Sequence, residues 1–227
     1  DSYFWYLTGF NEPDATLILI KDSAGQTHIG ISVQPKDEQA EIWHGRRLGA
    51  DAAINSLAVD SAFDNTQLTA QLIDMFSGKT TVYSLFIQSH VKRAVDETIL
   101  ALKQIPKKGV LAPSSHIDVQ SWLDEARLIK SPAEIALMQS VADISAQAHC
   151  KAMQICKPGL NEYHLEAEIQ YVFASNGARY PAYTSIVGGG DNACILHYTQ
   201  NNQPLQNGDL VLIDAGGELE GYAADIT

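Results

Sequence analysis

Basic residues are scarce in this sequence: 15 Lys and Arg stand against 27 Asp and Glu, a formal net charge of −12 over 227 residues. A protein that grips duplex nucleic acid needs a clustered basic surface to displace counterions from phosphate, so no nucleic-acid partner is expected. Anionic membranes attract basic segments for the same reason, and none is expected here. Cysteine is almost missing as well. Cys150, Cys156 and Cys194 are odd in number and lack the paired spacing of a zinc ribbon or redox motif, so they read as reduced thiols of a cytoplasmic protein. No run approaches the roughly twenty apolar residues of a membrane span, and no basic-then-apolar leader precedes the first apolar segment. The chain opens "DSYFWYLTGF", without Met and with the look of a strand already under way, so residues upstream are expected. Internal repeats, low-complexity tracts, phosphate loops and dinucleotide fingerprints are all lacking.

What is present is ordinary for a globular protein: 45% hydrophobic and 19% charged residues, enough to bury one large core or two smaller ones. Periodicity divides the chain in two. Residues 1–128 alternate strand-like runs ("FWYLTGF", "ATLILIK", "HIGISV", "TTVYSLF") with helical ones ("ADAAINSLA", "NTQLTAQLIDMFSG", "VKRAVDETILALKQI"), the pattern of an α/β domain. A second domain, 129–227, opens at "RLIKSPAEIALM", where Ser131, Pro132 and Glu134 spell a capping box with Pro at the first helical position. That helix runs toward Met153, and "KPGLNEYH" ends it and starts another whose Leu165, Ile169, Val172 and Phe173 share one face. The segments "ARYPAYTSIVGGG", "ACILHY", "LVLIDAG" and "GYAADIT" follow with strand composition, giving an α+β domain that looks unfinished.

Two acids in this second domain sit in apolar surroundings. Asp214 ends "LVLI", where a central strand is expected to be buried on both faces, and Asp225 lies in "YAADIT". A buried carboxylate must be hydrogen-bonded, paired or bound to a metal. One reading makes both of them turn residues, since "DAGG" is good turn chemistry. The other has neighbouring strands of a hairpin present both to shared divalent cations, for which carboxylate oxygens suit manganese or magnesium better than zinc. Spacing alone leaves both readings open.

The stretch from "RLIKSPAEIALM" through "NACILHYTQNN", "LVLIDAG" and "GYAADIT" resembles the aminopeptidase P branch of the methionine aminopeptidase, prolidase and creatinase family, and "FWYLTGFNEPDATLILI" with "AEIWHGRRLGADAA" resembles that branch's N-terminal domain. The resemblance implies a creatinase-like α/β domain followed by a pita-bread α+β catalytic domain, incomplete here. It implies two metal ions, usually manganese, held by two Asp, a His and two Glu. The two Asp match Asp214 and Asp225; the other three ligands belong to the second half of the pita-bread, which this sequence does not include. Isolated residues 1–227 are therefore expected to be inactive.

His197, taken alone, reads as a core residue in an apolar strand; the resemblance makes it the His that contacts the scissile carbonyl or the tetrahedral intermediate, where an imidazole donor stabilises oxyanion charge. Trp43 is either a core aromatic beside Arg46 and Arg47 or, as the resemblance implies, a side chain reaching a neighbouring subunit's active site in a homo-oligomer, dimer or tetramer. Tyr180 and Tyr183 are placed at the pocket mouth. His149 and His164 read as structural or solvated, and Gly188, Gly189 and Gly190 as a flexible turn. The implied reaction releases the N-terminal residue of a peptide with proline in second position, whose tertiary amide lacks an N–H. A prolidase, a creatinase-type enzyme and a non-catalytic peptide-binding pita-bread module are the alternatives.

Overall fold

The computed structural model describes residues 1–105 and 111–227. The chain divides into two compact units, Asp1–Leu128 and Ile129–Thr227. No helix among the described residues is long and apolar enough to cross a membrane.

The first unit begins with a helix where the aromatic run suggested a strand. α1 (Ser2–Thr8) forms because the Asp1 carboxylate accepts from the backbone N–H groups of Tyr3 and Phe4, and Gly9, at φ 60°, ends the helix in the left-handed conformation. β1 (Thr16–Lys21) and β2 (Thr27–Val33) pair antiparallel. α2 (Glu38–His44) and α3 (Ala50–Ser56) then lead to β3 (Ser61–Asp64), which pairs parallel with β2. α4 (Leu68–Phe76), β4 (Thr81–Ser84), α5 (Ser89–Lys103), β5 (Ser115–Asp118) and α6 (Gln120–Leu128) complete the unit, with β4 and β5 parallel. Parallel pairs with helical crossovers are the α/β arrangement the pattern implied. One core gathers Ile31, Val33, Ala53 and Val59, and another Leu72, Phe76, Val95 and Leu102.

The second unit starts at α7 (Pro132–Ile155). Its capping box is complete: the Glu134 N–H donates to Ser131 Oγ at 3.3 Å and the Ser131 N–H to Glu134 Oε2 at 2.7 Å. α8 (Glu162–Ser175) follows with Asn161 as N-cap. β6 (Tyr180–Pro181), β7 (Ile186–Gly189), β8 (Val211–Asp214), β9 (Gly217–Leu219) and β10 (Tyr222–Ala223) are short and pair antiparallel, in the sheets β7–β8 and β10–β9–β6. The helices pack Ile144, Ala148 and Ala152 against Ile169 and Phe173, and the same cluster takes in Ala178 and Ala215 from the strand side. Ala148 and Ala152, one turn apart, keep the helices close. This is an α+β layer, and Leu219 of β9 also packs against its core.

Candidate metal centre

Backbone geometry brings the two acids together. β8 ends at Asp214, which lies opposite Ile186 of β7, and the chain turns through Ala215 and Gly216 into the β9–β10 hairpin. On its return the Ala224 N–H donates to Gly217 O at 3.1 Å, and the Ala215 N–H donates to Ile226 O at 3.0 Å. The residues that follow each acid are thus hydrogen-bonded across the hairpin. Only glycine serves at position 216, because a Cβ there would lie 1.4 Å from the Ala224 carbonyl oxygen. α7 fixes the same segment from its other side. The His149 Nε2–H donates to Ala215 O at 2.8 Å, and the Gly217 N–H donates to Ser145 Oγ at 3.0 Å. Ser145 and His149 are four residues apart and share a helix face.

Tyr183 closes the site. Its hydroxyl oxygen lies 2.6 Å from Asp214 Oδ1 and 3.0 Å from Asp225 Oδ1, so the two carboxylates are separated by no more than the sum of those distances. Burial, followed by the hydrogen bonds to Asp214 and Asp225, pushes the phenol far above its ordinary pKa. It is a neutral donor with one proton for two acceptors. Neither acid forms an ion pair among the described residues, so a local negative charge is left uncompensated. Asp214 is half-buried and Asp225 exposed, in contrast to the strand buried on both faces that the sequence suggested. All four residues of β8 are partly accessible.

His197 sits elsewhere in the backbone than its apolar neighbours implied. "ACILHY" is no strand: a 3₁₀ turn, Gly190–Cys194, runs into a tight turn in which the Tyr198 N–H donates to Ile195 O at 3.2 Å. Ile195, Leu196 and His197 face solvent while Tyr198 is buried. Strand composition misleads here because the segment is anchored by polar groups. The buried Glu162 carboxylate accepts from the Gly189 N–H, Asn192 Nδ2, the Tyr198 hydroxyl and the Gln203 N–H at 2.7–3.0 Å. Burial alone would raise its pKa, yet these four donors hold it below the ordinary carboxylate range. Gly188 and Gly189 are likewise packed rather than flexible. A Cβ on Gly188 would meet the Asn192 backbone at 2.9 Å, and one on Gly189 would meet Leu205 Cδ2 at 2.6 Å.

Trp43, on α2, is 81% exposed and lies outside the buried clusters of its unit. Tyr180 is exposed on β6, where it pairs with Glu218 of β9 and lies under the Arg179 guanidinium. His164 accepts the Asn161 N–H at its Nδ1 in the cap of α8, a structural role. Tyr183 is more than a residue of the mouth, since its hydroxyl touches both acids. Three residues escaped the sequence reading: Glu162, Ser145 and the grip of His149 on Ala215. Glu162 occupies the first turn of a helix, where an acid is commonplace, and nothing in the sequence signals its burial.

Among the described residues no group of three or more His, Cys, Asp or Glu side chains comes together to hold a metal ion. Asp214 and Asp225 fit as part of a ligand set: two convergent hard oxygen donors, short of cations, of the type that suits manganese or magnesium. Residues 136–227 match the model of metallopeptidase family M24, and residues 1–83 match the aminopeptidase P N-terminal domain. The Xaa-Pro aminopeptidase of Escherichia coli is 46% identical over 228 residues, and that of Haemophilus influenzae 44%. The solved structure of Escherichia coli aminopeptidase P superposes with a TM-score of 0.96 at 45% identity, covering 99% of this chain and 51% of that one. The chain spans about half the length of the curated relatives it matches, 52% and 50% of the two proteins.

Proposed function

Since the chain belongs to metallopeptidase family M24, behind an aminopeptidase P N-terminal domain, we propose that the complete protein is a metal-dependent aminopeptidase releasing the first residue of peptides with proline in second position. The observation that carries this reading is the convergence of Asp214 and Asp225 on the Tyr183 hydroxyl, within the segment that matches the metallopeptidase family. Members of such a family use divalent metal. Two such ions, manganese, would be held by Asp214 and Asp225 together with donors outside these residues. When bound, they supply a nucleophile at neutral pH and polarise the scissile carbonyl.

This chain's own side chains do the rest. Asp214 and Asp225 hold the charge that recruits the metal. Tyr183 keeps the two carboxylates in register and stays neutral while it does so. His197, exposed on a rigid turn, donates a hydrogen bond to the substrate carbonyl as negative charge develops on its oxygen. Tyr180 lines the approach. Trp43, with its neighbour Ile42 77% exposed, meets another copy of the protein in a homo-oligomer. Three free, exposed thiols suit a reducing cytoplasm.

The direct test compares manganese-loaded full-length protein on Xaa-Pro-Xaa and Xaa-Pro peptides. Release of the first residue from the longer peptide supports the reading. Cleavage confined to the dipeptide would make the protein a prolidase, and no cleavage of either would leave a peptide-binding module.

A further inference from the structure

Glu162 is the one fully buried acid among the described residues, and the reaction proposed above makes no use of it. We infer that Glu162 is a positioning residue for His197, an inference that rests on that functional reading. The His197 ring has no hydrogen-bond partner among the described residues, so its place is set by the backbone that carries it. That backbone arches over Glu162. Oε1 receives the Gly189 N–H at 2.8 Å and Asn192 Nδ2 at 3.0 Å; Oε2 receives the Tyr198 hydroxyl at 2.7 Å and the Gln203 N–H at 3.0 Å. Asn192 also reaches the Tyr198 hydroxyl, at 3.1 Å.

The turn bearing His197 is tied to both ends of this hub. Its first residue, Ile195, donates its N–H to Asn192 O, and its last, Tyr198, hydrogen-bonds to Glu162 through its ring. Between them Ile195 and Leu196 are 53% and 83% exposed and supply no packing that would hold the imidazole. All four groups around the carboxylate are donors. A neutral amide would turn its NH₂ toward two of them, releasing one end of the turn without emptying the core.

Other contacts hold the neighbouring segments without Glu162. Asn201 pins the following loop by accepting the Val187 N–H at 2.9 Å and donating to Ser185 O at 2.9 Å. Asp214 and Asp225 are held by Tyr183, His149 and the hairpin. Loss of the Glu162 charge should therefore displace His197 and leave the metal ligands in place.

The test is a double-mutant cycle in the full-length protein, reading kcat and KM on a Xaa-Pro-Xaa peptide and manganese content. His197→Ala should lower kcat/KM by about 10²- to 10³-fold, the cost of one oxyanion donor. Glu162→Gln should lower it about 10²-fold with full manganese content, as expected for a donor moved by about 1 Å. Added to His197→Ala, Glu162→Gln should cost nothing more. Tyr198→Phe, which keeps the buried ring, should show the same non-additivity with a loss on the order of tenfold, and it decides the matter if Glu162→Gln does not fold. An unaltered kcat/KM in these variants, a loss that persists beside His197→Ala, or a loss that follows manganese content overturns the inference alone. Full activity of His197→Ala would remove the role given to His197, and this inference with it, whereas absence of cleavage by the unaltered protein would overturn the functional reading.

Discussion

Tyr183 has one proton to share between two carboxylates, and much of the site's behaviour follows from that shortage. Without the phenol, Asp214 and Asp225 would repel each other across a partly dry gap. Tyr183→Phe should therefore weaken manganese binding about 10- to 100-fold, the usual effect of removing a group that orients a ligand, as read by metal titration of the full-length protein. Equal affinity would mean that the backbone alone sets the acids. Glu162 gives a pH-dependent prediction. Its carboxyl is held below the ordinary range, so the stability it contributes is fully present above its unfolded pKa of about 4.3 and is lost as the pH falls through the lower folded value. Glu162→Gln should cost about 1–3 kcal/mol in denaturant unfolding at pH 7, a difference that shrinks in acid below about pH 4. A constant difference down to pH 2 would contradict this account.

Elements show where sequence was informative and where it was not. The capping box of α7 and the shared face of Leu165, Ile169 and Phe173 were legible because local chemistry and burial agree there. α1 was not: its aromatic residues favour strands, and the helix depends on a cap at Asp1 and a left-handed Gly9. The His197 segment also reads as a strand, but Glu162, distant in sequence, bends it into a turn that no periodicity reveals. The pairing of Asp214 with Asp225 across a hairpin was legible as one of two options, and the contribution of α7 to it was not. Gly216 is the tightest point of that hairpin. Gly216→Ala should separate β8 from the returning chain, lowering both melting temperature and manganese content, because the new Cβ meets backbone rather than a side chain that could move. Retention of both would show that the hairpin opens at little cost.

At the scale of the whole molecule, two domains of different architecture carry different parts of the proposed activity. The α/β unit presents Ile42 and Trp43 to solvent on α2, a pair that a lone subunit gains nothing by exposing. Trp43→Ala should shift the full-length protein toward smaller species in sedimentation, whereas an unchanged distribution would remove α2 from the subunit contact. The α+β unit brings together two acids and a phenol but no third ligand among its described residues. The polypeptide 1–227 alone should accordingly fail to cleave Xaa-Pro-Xaa peptides with manganese present. The most direct test of the central claim is the recovery of Xaa-Pro-Xaa cleavage as manganese is returned to chelator-stripped full-length protein, measured for the unaltered sequence and for Asp214→Asn. The account predicts recovery in the first and none in the second; activity in the stripped protein, or recovery in the variant, would contradict it.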